Sequence, residues 1–227
     1  MNKTIIQTPT PGLKKSEEFY TGLGFKKLSE EPVLFTDGKF ILEINPSRTA
    51  RAGIKIFSAD WSETVEKLRE MTAINETETE IVVSDPNGVC IYLVEAVLEH
   101  DTGEESFGAT GNFAGISIEA VDVERTVSFW EALGFKKGMG DMSQGWAVYS
   151  NGSDVDVSIM KTGMCPHLFF NPGLTFFNSG KNLDNIARLR EANIPITEEI
   201  TFFNKEGIVD NVIINDPGGL GFFVFND

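Results

Sequence analysis

The chain alternates between two hydrophobic periods. IIQ near the start, VLFT at 33–36 and KFILEI at 39–44 read as short strands. Between the first two, Leu13–Leu23 places Leu13, Phe19 and Tyr20 at helical spacing, and Gly24 stands where a helix end needs a left-handed residue. GIKIFS at 53–58 starts the cycle again. A helix over Ala59–Met71 follows, with Asp60 or Ser62 as N-cap and Val65, Leu68 and Met71 on its apolar stripe. EIVVSDPNGVCIYLVE then reads as strand, turn, strand, with Asp and Pro opening the turn and Gly taking a positive φ near its end. The second half predicts the same order. GISIEA is a strand, Asp122 caps a helix through Leu133, and WAVYS and DVDVSIM are strands, the latter alternating acid with apolar. LTFFN, a helix at 181–193, EEITFFN, VDNVIIN and GLGFFVFN complete it, with NKEGIV at 204–209 as a hairpin loop.

The two halves are copies. FYTGLGFKKL at 19–28 recurs 110 residues on as FWEALGFKKG, EKLREM at 66–71 as ARLREA at 187–192, and DPNGVCIYLV at 85–94 as DPGGLGFFVF at 216–225. The three motifs keep one order in each copy. The pattern predicts an α+β chain with one domain over 1–98, an acidic, Gly- and Ser-containing linker over 99–111, and a second domain over 112–227.

A short strand, then D-x-x-x-x-x-x-F-[YW]-x-x-x-L-G-F, then strands ending in D-P-x-G and an apolar run, resembles the vicinal oxygen chelate superfamily of glyoxalases, bleomycin-resistance proteins and extradiol dioxygenases. DVERTVSFWEALGF at 122–135 is the cleaner copy; Gly12 replaces the capping Asp in the first. The resemblance implies four βαβββ modules, two per half, each pair curling its strands around a cleft for a small ligand. It also implies a divalent metal in that cleft, held by His or Gln from a module's opening strand and Glu or His from its last.

Carried over position by position, those ligand sites fall on Ile5 and Glu43, Gly53 and Tyr92, Gly115 and Ser158, and Leu174 and Phe223. Glu43 alone has a metal-binding side chain. Shifting by one residue to Thr4, Ile6, Ala114, Ile116, Gly173 or Thr175 does not supply a set. One carboxylate cannot hold a catalytic ion in water, so no family-type metal and no other cofactor is expected. The same alignment makes Glu43, Tyr92, Ser158 and Phe223 the candidate ligand-binding residues. Glu43 favours the first half as the working one. Tyr92 and Phe223 offer an aromatic floor for a flat ligand, while Phe222 and Phe225 are assigned to the core or an interface.

Composition narrows the function classes. Among 227 residues, 34 Asp and Glu outnumber 19 Lys and Arg, giving a net charge of −15, and acids dominate both halves. Phosphate binding needs a basic patch, so nucleic acid is excluded as a partner. No apolar run approaches a membrane span, the N-terminal stretch does not resemble a secretory signal, and a cytoplasmic location is the default. Cys90 lies in a strand-like run and Cys165 in MCPH, neither in a CxxC pair. His100 falls in the linker, and His167 precedes an opening strand by several residues. Eighteen Phe, several in adjacent pairs, fit a crowded core.

Three functions fit. The first is a metal-free protein binding a flat aromatic or cationic small molecule, like the antibiotic-sequestering members of the superfamily. The second is a metal-dependent lyase, isomerase or ring-cleaving dioxygenase. The third is a scaffold whose cleft has filled and whose Phe-rich faces bind a protein. Either a monomer or a homodimer is compatible with four modules in one chain.

Overall fold

A computed structural model describes residues 3–227. The first half comprises β1 (Lys3–Pro9), α1 (Leu13–Gly22), β2 (Lys26–Glu30), β3 (Val33–Thr36), β4 (Ile41–Asn45), β5 (Gly53–Ser58), α2 (Ser62–Leu68), β6 (Asn75–Glu76), β7 (Ile81–Ser84) and β8 (Cys90–Glu95). The second comprises β9 (Phe113–Ala120), α3 (Val123–Ala132), β10 (Lys136–Asp141), β11 (Trp146–Ser150), β12 (Val157–Lys161), β13 (Gly173–Phe177), α4 (Asn182–Glu191), β14 (Glu198–Ile200), β15 (Asn211–Asn215) and β16 (Gly221–Phe225). The fold is α+β, as the sequence predicts. Each half is one eight-stranded mixed sheet, in the orders β2-β3-β4-β1-β5-β8-β7-β6 and β10-β11-β12-β9-β13-β16-β15-β14. Modules pair in chain order, joined where β1 meets β5 and β9 meets β13 antiparallel. Among the described residues no helix is long and apolar enough to cross a membrane.

The LGF repeat is a helix stop. In α1, Gly24 has φ +81° and its N–H donates to the Thr21 carbonyl, while the Phe25 N–H donates to the Tyr20 carbonyl. In α3, Gly134 has φ +91°, with Gly134 N–H on Glu131 and Phe135 N–H on Trp130. These are the two crossed bonds of a Schellman ending, which only a residue tolerant of positive φ can make cheaply. The accompanying apolar contact is aromatic in both copies. Ring centroids of Tyr20 and Phe25 lie 5.6 Å apart, and those of Trp130 and Phe135 lie 5.1 Å apart. At the other end of α3, Asp122 Oδ1 accepts from the Arg125 N–H at 3.0 Å, the predicted cap. The helix predicted over Ala59–Met71 is shorter, and the strand predicted through TFFN stops at Ile200.

The DPxG turns also join the halves. Asp85 Oδ1 accepts from Asn87 and Val89 N–H, and its Oδ2 accepts from Trp130 Nε1–H of α3 at 3.3 Å. Asp216 Oδ1 accepts from Leu220 N–H. Its Oδ2 accepts from Tyr20 O–H of α1 at 2.8 Å and from Thr8 O–H at 2.7 Å. Each turn thus holds a helix of the opposite half. One apolar core runs through both. It takes Ile6, Leu42, Ile54 and Ile91 from the first sheet, with Ile116, Ile159, Leu174 and Phe222 from the second, and Phe40 stacks on Phe113 at 4.1 Å. The 99–111 segment packs against this body, with Ala109 and Thr110 buried and Ala109 N–H on the Leu23 carbonyl.

Candidate functional site

Alternation along a strand sends successive side chains to opposite faces. Residues that miss the shared core therefore point to the face of each sheet turned away from the helices. They form one diagonal four-residue row per half, made of two register pairs offset by two residues where β1 meets β5 and β9 meets β13. The first half gives Glu43, Gln7, Lys55 and Tyr92, set by the pairs Gln7–Glu43 and Lys55–Tyr92. The second gives Ser158, Ser117, Thr175 and Phe223, set by Ser158–Ser117 and Thr175–Phe223. The rows occupy equivalent places and have opposite characters.

The first row is filled. Lys55 Nζ lies 3.0 Å from Glu43 Oε1 and 2.9 Å from Oε2, with Glu80 Oε2 at 3.4 Å. Gln7, Glu43, Lys55 and Tyr92 are all buried. The Tyr92 hydroxyl accepts from Arg51 N–H at 2.9 Å and donates to the Arg51 carbonyl at 3.2 Å. Burial pushes the phenol up to about 12, so it stays neutral. Glu43 and Tyr92 thus lie on the expected face, but the expected open cleft beside them is closed. A lysine on β5, reaching past the intervening β1, has taken the carboxylate.

The second row is open. Ser117 Oγ and Thr175 Oγ1 share a 2.6 Å hydrogen bond, and with Ser158 and Phe223 they line a cavity of about 360 Å³. Met139, Trp146 and Val148 form one wall, and Phe177 and Phe225 another. The segment between β12 and β13 contributes Cys165, His167 and Phe169. His167 is ringed by aromatics, 5.1 Å from Phe225 and 5.5 Å from Phe223 between centroids. Burial, then the Glu119 carboxylate, pushes the Cys165 thiol up to about 11, so it is protonated at neutral pH and is no nucleophile. Gly173 is required here, because a Cβ on it would stand 2.3 Å from the Phe223 ring.

The structure brings Ser158 and Phe223 together in a cavity and leaves Glu43 and Tyr92 in a packed first half. Glu43, which favours the first half in the sequence, is paired with Lys55, and the cavity lies in the second half. Leu174 is corrected: it faces the shared core, Thr175 lines the cavity, and Gly173 lies under the Phe223 ring. Phe225, assigned to core or interface, is cavity wall. His167, set aside by its distance from the strand, enters through the loop that precedes it. Gln7, Lys55, Ser117 and Thr175 were missed. Aligning GIKIF at 53–57 with GLTFF at 173–177 places Lys55 opposite Thr175 and was the available signal.

No protein-family model matches the sequence, and no curated protein matches it. Solved structures do match in fold. A catechol 2,3-dioxygenase superposes with TM-score 0.54 at 13% identity, over 98% of this chain and 86% of its own. The 2,3-dioxygenase LapB from Pseudomonas sp. KL28 gives 0.55 at 14%, over 99% and 92%. The 2,2',3-trihydroxybiphenyl 1,2-dioxygenase from Sphingomonas wittichii strain RW1 gives 0.56 at 14%, over 99% and 89%. The chain has the duplicated vicinal oxygen chelate fold that extradiol ring-cleaving dioxygenases share.

The divalent ion this fold implies does not fit the residues present. In the second row the donors are three hydroxyls, weak ligands when neutral, beside a phenyl ring. In the first, the one carboxylate already faces an ammonium. Among the described residues no three His, Cys, Asp or Glu side chains converge on a point.

Proposed function

We propose that the second half binds a small flat molecule, largely uncharged and aromatic, without a metal, while the packed first half supports it. The observation that carries this reading is the cavity of about 360 Å³ whose walls are Trp146, Phe169, Phe223 and Phe225 and whose floor presents the Ser117, Ser158 and Thr175 hydroxyls. Apolar walls with few convergent polar groups are the usual form of a small-molecule pocket, and this volume lies at the lower end of their range. Burying ~200 Å² of aromatic surface at ~25 cal/mol per Å² gives about 5 kcal/mol, a sub-millimolar dissociation constant. The hydroxyls then fix orientation by hydrogen-bonding a ring substituent.

Titration with 1-naphthol, indole and quinoline, followed by heteronuclear NMR, tests the reading. Saturable shifts are expected around Ser117, Ser158 and Thr175, unchanged by EDTA and abolished by Ser158→Phe, which fills the floor. N-methylquinolinium adds a cationic arm, since Asp156 also borders the cavity. No saturable binding by any of the four compounds, or binding that survives Ser158→Phe, overturns the proposal. The shared fold favours a second reading, ring cleavage of a catechol, and oxygen uptake with catechol after anaerobic loading with Fe(II) tests it.

A further inference from the structure

Beside the aromatic walls, one edge of the cavity is rich in sulfur. Met160 lies on β12. Cys165 follows five residues later in the turn, and its Sγ stands 3.8 Å from Met160 Sδ. Both residues border the cavity, as does His167. The His167 Nδ1 is 2.7 Å from the Leu168 carbonyl oxygen. That contact places the neutral ring's proton on Nδ1 and leaves the Nε2 lone pair free. Next to Met160 in the sheet is Glu119 of β9, its register partner. Glu119 Oε1 is buried with no hydrogen-bond partner among the described residues, while Oε2 has only a long contact from the Thr162 hydroxyl at 3.4 Å. A carboxylate oxygen left bare in this way is costly unless a cation comes to it.

We propose that Met160 and Cys165 form a soft-cation site at this edge, binding one monovalent ion of the Cu(I) class through sulfur. Two metal–sulfur bonds of about 2.3 Å spanning 3.8 Å enclose an angle of ~110°, within the range such ions accept. Thiol and thioether donors select Cu(I) over the hard divalent ions that the row of hydroxyls fails to hold. His167 borders the same cavity, and Glu119 supplies charge balance. On binding, the Cys165 S–H bond breaks, an S–Cu bond forms, and the proton leaves to solvent; the ion's oxidation state does not change. The sulfurs share the cavity with the Ser158–Phe223 row, but the ion is held by sulfur and its binding does not require a bound aromatic.

The test is anaerobic titration of the full chain with Cu(I) against bicinchoninate, with native mass spectrometry to count ions. Ag(I), which is not redox-active under these conditions, serves as a second probe. One ion per chain is expected. Cys165→Ser should remove it and Met160→Leu should weaken it at least tenfold, while Cys90→Ser leaves it unchanged. Melting curves of the metal-free variants establish that each is folded. The proposal is overturned by no uptake, by uptake that persists in Cys165→Ser, or by a loss under tenfold in Met160→Leu, which would reduce the binding to that of a lone thiol.

Discussion

Removing Lys55 gives the sharpest test of how the first half is closed. In Lys55→Met the stem still packs, but Glu43 loses the ammonium that lies 2.9 Å and 3.0 Å from its two oxygens. The Glu43 residue is only 7% exposed, so water cannot take over without opening the sheet face. Breaking one partner of a buried pair costs roughly 3–5 kcal/mol, because the remaining charge is uncompensated. For a chain of this size, with about 2–4 °C of melting temperature per kcal/mol, the fall is roughly 6–20 °C. Glu43→Gln costs less, because Lys55 keeps Glu80 at 3.4 Å. The double variant Glu43→Leu/Lys55→Met recovers most of the loss, since neither charge remains to be desolvated. Urea denaturation reads all three, with an unchanged m value showing that the native fold persists. A cost below about 1 kcal/mol for Lys55→Met, the magnitude of a solvated surface pair, would refute the view of a sealed first half. So would a double variant no more stable than the single.

The latches between halves are testable in the same way. Tyr20→Phe deletes the 2.8 Å bond to Asp216 and should cost about 1.5–3 kcal/mol by urea unfolding. Burial, then Asp216, raises the Tyr20 pKa well above 10.0, so its contribution is complete below that value. It is lost as the pH rises further, because only the unfolded phenol ionises first; Tyr20→Phe should flatten that alkaline slope. Gly173→Ala forces a methyl into the Phe223 ring and pushes it into the cavity, so naphthol affinity should fall tenfold or more in calorimetric titration. Asp122→Ala removes the α3 cap and should cost about 1 kcal/mol in the same urea assay.

The fold was legible in the sequence because its strongest signals are local. LGF encodes a helix stop through one glycine and two aromatics, and DPxG encodes a turn through its own side-chain hydrogen bonds. Their repetition in order then dictates the duplication. The site was half legible. Counting from those turns placed Ser158 and Phe223 on the cavity face and Glu43 and Tyr92 on the equivalent face of the first half. What alternation cannot tell is whether a face is empty. That depends on Lys55, whose side chain reaches from β5 past β1 to Glu43 on β4, and on Gly173, whose missing Cβ admits the Phe223 ring. It depends also on the 162–172 segment, which carries His167 and Cys165 over the sheet without any periodicity. A one-residue slip at Leu174 was enough to send an opening-strand position to the wrong face.

The two rows show how one fold can dispose of the same four places differently. A row without metal ligands leaves a buried polar hollow that must be filled or lined. The first half fills it with a complementary pair, which satisfies both charges internally and removes the space. The second shrinks three of the four side chains to hydroxyls, two of which satisfy each other, and keeps the space by walling it with rings. Only the second solution leaves hydrogen-bonding capacity facing a void. The void persists because its floor strands are braced from behind, with Ile116, Leu174 and Phe222 locked in the core that the halves share. The Asp85 and Asp216 latches hold that core to α3 and α1. The closed half is therefore part of the open half's machinery: loosening the contact between them would let the cavity walls collapse inward, since nothing within the cavity itself opposes it.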